Sequence, residues 1–375
     1  MSYYILPKNI NSFNVEPTSS LEPCIQTISF SYFYYYTNVQ KQLKDIFNNN
    51  SDLNEEAIKF INPYEFIYST VPGSTFSVSK LKTTNLFYDL FEIYSNLTFF
   101  DNINKQPMKT FHISNNYLDS MECLEMFRED CNDENISKNE FNIDDLTSSN
   151  NDFDFMYLES DITDQQKYFL FIVKATLCVL KNQNYNGNFI IKIGDIVHKP
   201  ILDFIYLFTS LYEKVYIVKP FTNNIITTEK YLVCKSFKYD KNSTQYLKHN
   251  YLKLMVFLKK LDNNFIANIL NIDIPCFFKN KIDDMNIVIG QHQLESLNTI
   301  VSVLKNKNKN DKIENMNKSN IQKSVSWCEK YKIPYNKFTE KINIFLPIIN
   351  DDIAYEDQQQ PAFGSSCKKS LGFGL

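Results

Sequence analysis

Between residues 187 and 237 the order of hydrophobic and polar positions predicts three strands and one helix. GNFIIKIGD is an apolar run of strand composition that ends on a lysine, Lys192, and HKPILDFIYLFTSLY has helical period. EKVYIVKP is a second strand, closing on Lys219 and Pro220, and FTNNIITTEKYLVCKSF carries a third strand opened by Glu229. Upstream, TTNLFYDLFEIYSNLTFF sets Leu86, Phe87, Leu90, Phe91 and Tyr94 at helical spacing, an apolar face to be packed on a sheet. MKTFHIS predicts a strand at 108–114, LDSMECLEMF a helix at 118–127, and FDFMYLESD a strand at 153–161. Strands alternating with helical segments predict an α/β fold with a mainly parallel, twisted sheet that ends in an antiparallel edge strand.

Outside this centre the pattern changes. Residues 1–75 read as an N-terminal extension, mixing the aromatic piece SFSYFYYYTNV, an amphipathic NVQKQLKDIF and the polar break NNNSDLNEE. The cluster SYFYYY has the composition of a strand core, with base stacking as the alternative. Residues 76–240 form the central domain. The acidic stretch 129–151 within it reads as a surface loop of little order. YLKLMVFLKKL, NFIANILNI and QLESLNTIVSVLKN predict a helical C-terminal region over 241–355, broken by KNKNKNDKIENMNKSN as a linker or exposed loop and resumed around Trp327. The tail 356–375 reads as disordered or as a docking peptide.

The residues of the centre resemble the end of the catalytic domain of FtsJ-like methyltransferases, which move a methyl group from S-adenosylmethionine to a ribose 2′-hydroxyl of RNA. Gly187, Lys192, Lys219, Pro220, Glu229 and Tyr231 fit that pattern residue by residue, and Glu159 stands at the place of the family's catalytic aspartate. The resemblance covers about residues 153–237 and, in fragments, 76–127. It implies a Rossmann-like methyltransferase sheet, S-adenosylmethionine as cofactor, and Lys192, Glu159 and Glu229 as catalytic residues. A lysine near the attacking hydroxyl stabilises the developing alkoxide, and flanking carboxylates orient the amine. Taken singly each residue has a structural explanation: Lys192 as a snorkelling strand-end lysine, Glu229 as a turn cap, Glu159 as one acid in an acidic loop.

Four departures set the chain apart from the family. The helix position that carries a second catalytic lysine is Asp89 here, unless Lys80 or Lys82 substitutes from the preceding loop. The cofactor loop, usually rich in glycine, is HISNNYLDS, so cofactor binding falls to Ser114, Asn115 and Asn116, with side chains where the family has none. Glu159 is one methylene longer than aspartate, and Lys219-Pro220 continues into Phe221 and Thr222 rather than serine and arginine. The expectation is a family member with weakened or lost catalysis, acting on RNA such as capped messenger. The alternative is a non-catalytic RNA-binding or scaffold subunit of a viral capping or transcription assembly.

Charge sharpens the RNA expectation. The net charge of −4 conceals an asymmetry: 119–161 is strongly acidic, whereas 161–260 is lysine-rich. The basic half either faces a phosphate backbone or is a solvated lysine surface. Lys219, Lys230 and Lys235 are the expected RNA-binding residues, because Arg128 is the one arginine and no other guanidinium fork is available. The A/T-rich codon bias implied by many lysines and asparagines suggests a large DNA virus or a protist. The eight cysteines include no CxxC pair and the four histidines have no ligand spacing, which predicts a reduced protein without zinc. With no signal peptide and no long apolar run, a soluble protein of cytoplasm or virion, away from membranes, is expected.

Overall fold

The computed structural model describes residues 2–28, 38–39, 41–42, 59–100, 106–140, 152–160, 164–240, 245–262, 264–305 and 310–336. Residues 1–336 form one compact unit. SYFYYY, most of NVQKQLKDIF, the NNNSDLNEE break and the tail lie outside the described residues.

Seven strands form the central sheet in the order β1-β7-β8-β6-β5-β3-β4. They are β1 (Ser2–Ile5), β3 (Lys109–Ile113), β4 (Glu134–Lys138), β5 (Phe153–Leu158), β6 (Gln183–Ile193), β7 (Tyr212–Lys219) and β8 (Lys230–Phe237). β4, β3, β5 and β6 run parallel to one another. β8 is reversed and lies between β6 and β7. The antiparallel edge strand is β1, which the N-terminal segment supplies by pairing Ser2 with Lys219 and Ile5 with Tyr216. A two-stranded sheet joins β2 (Thr18–Ser20) to β9 (Phe265–Asn268).

Alternation along the strands sorts the two faces. Phe189, Ile191 and Ile193 of β6 enter the main core beside Phe204 and Phe208. These two rings belong to α4 (Lys199–Leu211), a helix buried at every position from Pro200 onward. It is buried all round because the sheet, α3 (Gln165–Asn182), Phe13 and Phe278 pack against it. Its one buried charge, Asp203, is compensated by Lys199 and by the amides of Ile269 and Leu270 at 2.9 and 3.0 Å. The opposite face, carrying Ile190 and Lys192, meets α1 (Asn85–Asn96), where Tyr94 packs edge-on against Phe155 at 6.1 Å. α2 (Tyr117–Phe127) follows β3, and α5 (Gln245–Lys260), α6 (Cys276–Lys305) and α7 (Asn310–Lys330) complete the described chain.

Three expectations are corrected. NFIANILNI holds β9 rather than a helix, since a short apolar run has no period long enough to separate the two. Residues 134–138 of the acidic stretch are not loop but form β4, parallel to β3. Residues 310–320 of the lysine-asparagine tract form the first half of α7 rather than a linker or exposed loop. The buried face of α7 includes Asn320, Ser324, Trp327 and Cys328, spaced for one helical face but half polar, which hides the period from a hydrophobicity reading. Asn320 donates to the carbonyls of Lys59 and Phe60, and Ser324 to that of Pro63. At Gly187 the expected glycine is required by close approach: a Cβ there would sit 2.9 Å from the carbonyl oxygens of Asn184 and Asp154.

Candidate functional site

The strand registers bring the expected residues to one rim. Lys192 pairs with Tyr231 and Ile193 with Lys230, so the start of β8 lies beside the carboxyl end of β6, and Glu229 falls at that edge. Leu158 pairs with Ile191, which puts Glu159 next to Lys192 on the other side. The Lys192 ammonium lies 2.9 Å from Glu159 Oε1 and 3.0 Å from Glu229 Oε2, with the three side chains 14%, 20% and 27% exposed. Burial pulls the Lys192 pKa down, but the two carboxylates outweigh it and hold the group above its ordinary value. The amine is therefore a fixed cation. It can stabilise an oxyanion arriving from the open side, and it is no proton acceptor near neutral pH.

Glu159 is itself held in place: its second oxygen accepts from Ser114 Oγ at 2.7 Å and from Tyr157 OH at 2.9 Å. Ser114 follows β3, and its hydroxyl also accepts the Asn116 amide at 3.0 Å. The switch in strand order falls between β3 and β5, the place where an open α/β sheet accepts a ligand outside its carboxyl ends. Here that crevice is bridged by the Ser114–Glu159 bond. Asn115 and Asn116 are exposed and neither has a positive φ, so the loop turns without glycine but keeps side chains at its mouth. Ser114, Asn115 and Asn116 are the residues that would border a cofactor lying between β3 and β5.

Asp89, at the family's second lysine position, is fully buried and takes hydrogen bonds from Thr222 Oγ1 at 2.5 Å, Asn223 Nδ2 at 2.8 Å and Tyr231 OH at 2.9 Å. Burial raises its pKa to about 6 against the opposing pull of those three donors and of Lys192. Sequence reasoning flagged Asp89 only as a loss. Its loop partners, Thr222 and Asn223, are residue types common in solvated turns, so the sequence carried no signal for them. Lys80 and Lys82 are exposed on the segment before α1.

The RNA-binding assignment of Lys219, Lys230 and Lys235 is corrected by burial: they are 8%, 3% and 7% exposed. Lys219 Nζ donates to Asn223 Oδ1 at 2.5 Å and to the carbonyls of Asn224, Thr227 and Glu229 at 2.7, 2.9 and 2.7 Å. Burial lowers its pKa to about 7, with Lys230 acting in the same direction and Asp89 and Glu229 against it. Lys230 donates to the carbonyls of Gly194 and Thr228, and Lys235 to those of Leu97 and Thr98. Each ammonium ties loops to the sheet and is turned away from solvent. Arg128 is likewise internal, with Asp133 at 2.5 and 2.9 Å and the Gln106 carbonyl at 2.7 Å.

His112 is buried between Ser120 and Thr110, and burial lowers its pKa to about 3, so it packs as a neutral ring. Among the described residues no group of histidine, cysteine and acidic side chains could hold a metal, and no helix is long and apolar enough to cross a membrane.

No protein-family model matches the chain, and neither does any curated protein sequence. Solved structures similar to it include an O-methyltransferase family protein from Burkholderia thailandensis, at 10% identity and a TM-score of 0.27 over 41% of this chain and 57% of that one. Another is phosphoethanolamine N-methyltransferase 2 of Haemonchus contortus in complex with phosphomonomethylethanolamine and S-adenosylhomocysteine, at 10% identity and 0.27 over 49% and 46%. A third is an S-adenosylmethionine-dependent methyltransferase from Clostridium acetobutylicum, at 12% identity and 0.20 over 45% and 80%. The chain thus spans about half the length of the first two. The α/β assignment rests on the strand order itself.

Proposed function

We propose that the chain is a relative of the FtsJ-like RNA 2′-O-methyltransferases that retains the lysine-carboxylate half of the site and has weakened or lost methyl transfer. The observation that carries this reading is Lys192, held 2.9 Å from Glu159 and 3.0 Å from Glu229 at the carboxyl rim. Three residues from three strand ends meet there in the order that the resemblance implies. Such a cation is suited to a ribose hydroxyl that develops negative charge, on messenger RNA or its capped end.

S-adenosylmethionine is the cofactor of that family, with Ser114, Asn115 and Asn116 as its counterpart loop. The Ser114–Glu159 bond across the crevice supports loss of the cofactor site, and the buried Asp89 supports loss of the second catalytic cation. A non-catalytic subunit that binds RNA or scaffolds a viral capping or transcription assembly is the second reading, favoured by Asp89 being committed to Thr222, Asn223 and Tyr231 instead of facing the rim.

Isothermal titration with S-adenosylmethionine and S-adenosylhomocysteine tests the reading. No binding is expected at micromolar concentration, and replacing Asn115 and Asn116 with glycine is expected not to weaken it further. Micromolar affinity in the unaltered protein would overturn the loss of the cofactor site.

A further inference from the structure

We propose that the cleft between α7 and the loop after β7 is a binding site for one unstacked base of single-stranded RNA. The inference shares with the proposed function only the assumption that RNA is the ligand. Its residues fall at positions 64, 221 and 319–331, and all but Phe221 lie outside the stretches in which the chain resembles the methyltransferase family.

The cavity measures about 370 Å³ and is lined chiefly by Tyr64, Phe221, Lys323, Trp327, Lys330 and Tyr331. That size lies at the lower end of small-ligand pockets, roughly 300–1,000 Å³. Phe221 is 49% exposed although it is a large apolar ring. One side of it is stacked on Tyr64, with centroids 5.5 Å apart and planes 15° from parallel. Lys330 Nζ lies 4.7 Å from the centroid of the Tyr331 ring. Among the described residues no carboxylate lines the cavity, the buried Glu92 lying behind it on the Phe221 amide, and Lys323 and Lys330 are both exposed at it. Aromatic faces beside lysines and without acids match a base joined to phosphates, because every base has a face to stack and each phosphate a charge to neutralise.

Trp327 closes the inner side of the cleft: it is 4% exposed and its ring packs against Tyr331 at 4.5 Å and Tyr88 at 5.9 Å. The walls are also fixed in advance, which lowers the ordering penalty of binding. α7 is clipped to the 59–63 segment through Asn320 and Ser324, and the Phe221 amide is bonded to Glu92 Oε2 at 2.9 Å. The next residue, Thr222, donates to Asp89, so the cleft adjoins the network behind Lys192.

Trp327 is the chain's one tryptophan, so its fluorescence reads the cleft directly. The probe is a short single-stranded oligoadenylate at low salt. Saturable quenching is expected. Phe221→Ala should weaken it about 5- to 100-fold, as loss of one stacked base predicts, while Phe221→Tyr retains it. Replacing Lys323 and Lys330 by glutamine should weaken binding and flatten its salt dependence. Affinity unchanged by Phe221→Ala, or equal affinity for an abasic oligomer, for the duplex or for free adenosine monophosphate, would each overturn the proposal. Because the fluorescence titration needs no cofactor and the calorimetry needs no RNA, either idea can fail while the other stands.

Discussion

Two lysines near the carboxyl ends of strands that flank β8 are held in opposite ways. Lys192 on β6 is neutralised by two carboxylates and keeps one side toward the rim. Lys219 on β7 is enclosed by carbonyl and amide oxygens. Full charges raise the pKa of the first against its burial, and dipoles leave the second lowered to about 7. The difference separates a group available for chemistry from one that fastens a loop. A lysine at a strand end acquires its role from what faces it.

Removing the fastened lysine should have the largest effect. Lys219→Met leaves several buried acceptors without a donor and is expected to destabilise the protein by about 3 kcal/mol or more in urea denaturation. Its folded pKa of about 7 lies below the ordinary 10.5, so the unfolded chain holds the proton over a higher pH range. Its contribution is complete above 10.5 and is lost as pH falls through about 7, so wild-type stability should rise with pH across that window more steeply than that of the variant. Equal slopes would break the comparison from the Lys219 side.

Lys192→Met should cost less, about 1–3 kcal/mol, since the two carboxylates it leaves behind are partly hydrated. Its folded pKa is raised above 10.5, so its contribution is fully present below that value and is lost only as pH rises through the folded one. The deficit of this variant should therefore stay constant between pH 7 and 10, where the Lys219 variant's changes. A deficit that varies over that interval would show that the two lysines are not distinct in kind.

The smallest effect is expected at Asp89. Asp89→Asn keeps the shape and should stay within about 1 kcal/mol of wild type at neutral pH. The raised carboxyl contributes relative stability below its ordinary 3.8 that is lost as pH rises through about 6. The asparagine variant should gain on wild type across that window, and parallel curves would mean that Asp89 is not a buried titrating acid.

Much of the site was legible because strand period and strand ends are local. Residues 189–193 alternate about a sheet, and a lysine in penultimate position of such a run has few places to go except the rim. Glu159 and Glu229 follow the same logic, each flanking an apolar run. The cleft at Trp327 was not legible. Its helix face carries Asn320 and Ser324, whose partners are carbonyls about 260 residues away in sequence, and no hydrophobic period announces them.

The sequence by itself determined the alternation of strands and helices over 76–240, the face on which Lys192 lies, and the want of glycine in the 114–120 loop, because each depends on neighbours within one element. Tertiary structure decided which lysines are outside. Lys219, Lys230 and Lys235 read as surface cations on a basic segment, yet all three are buried against backbone carbonyls contributed by loops. A charge goes inside only where acceptors converge on it from several places in the chain, and that convergence is a property of packing that no local pattern encodes.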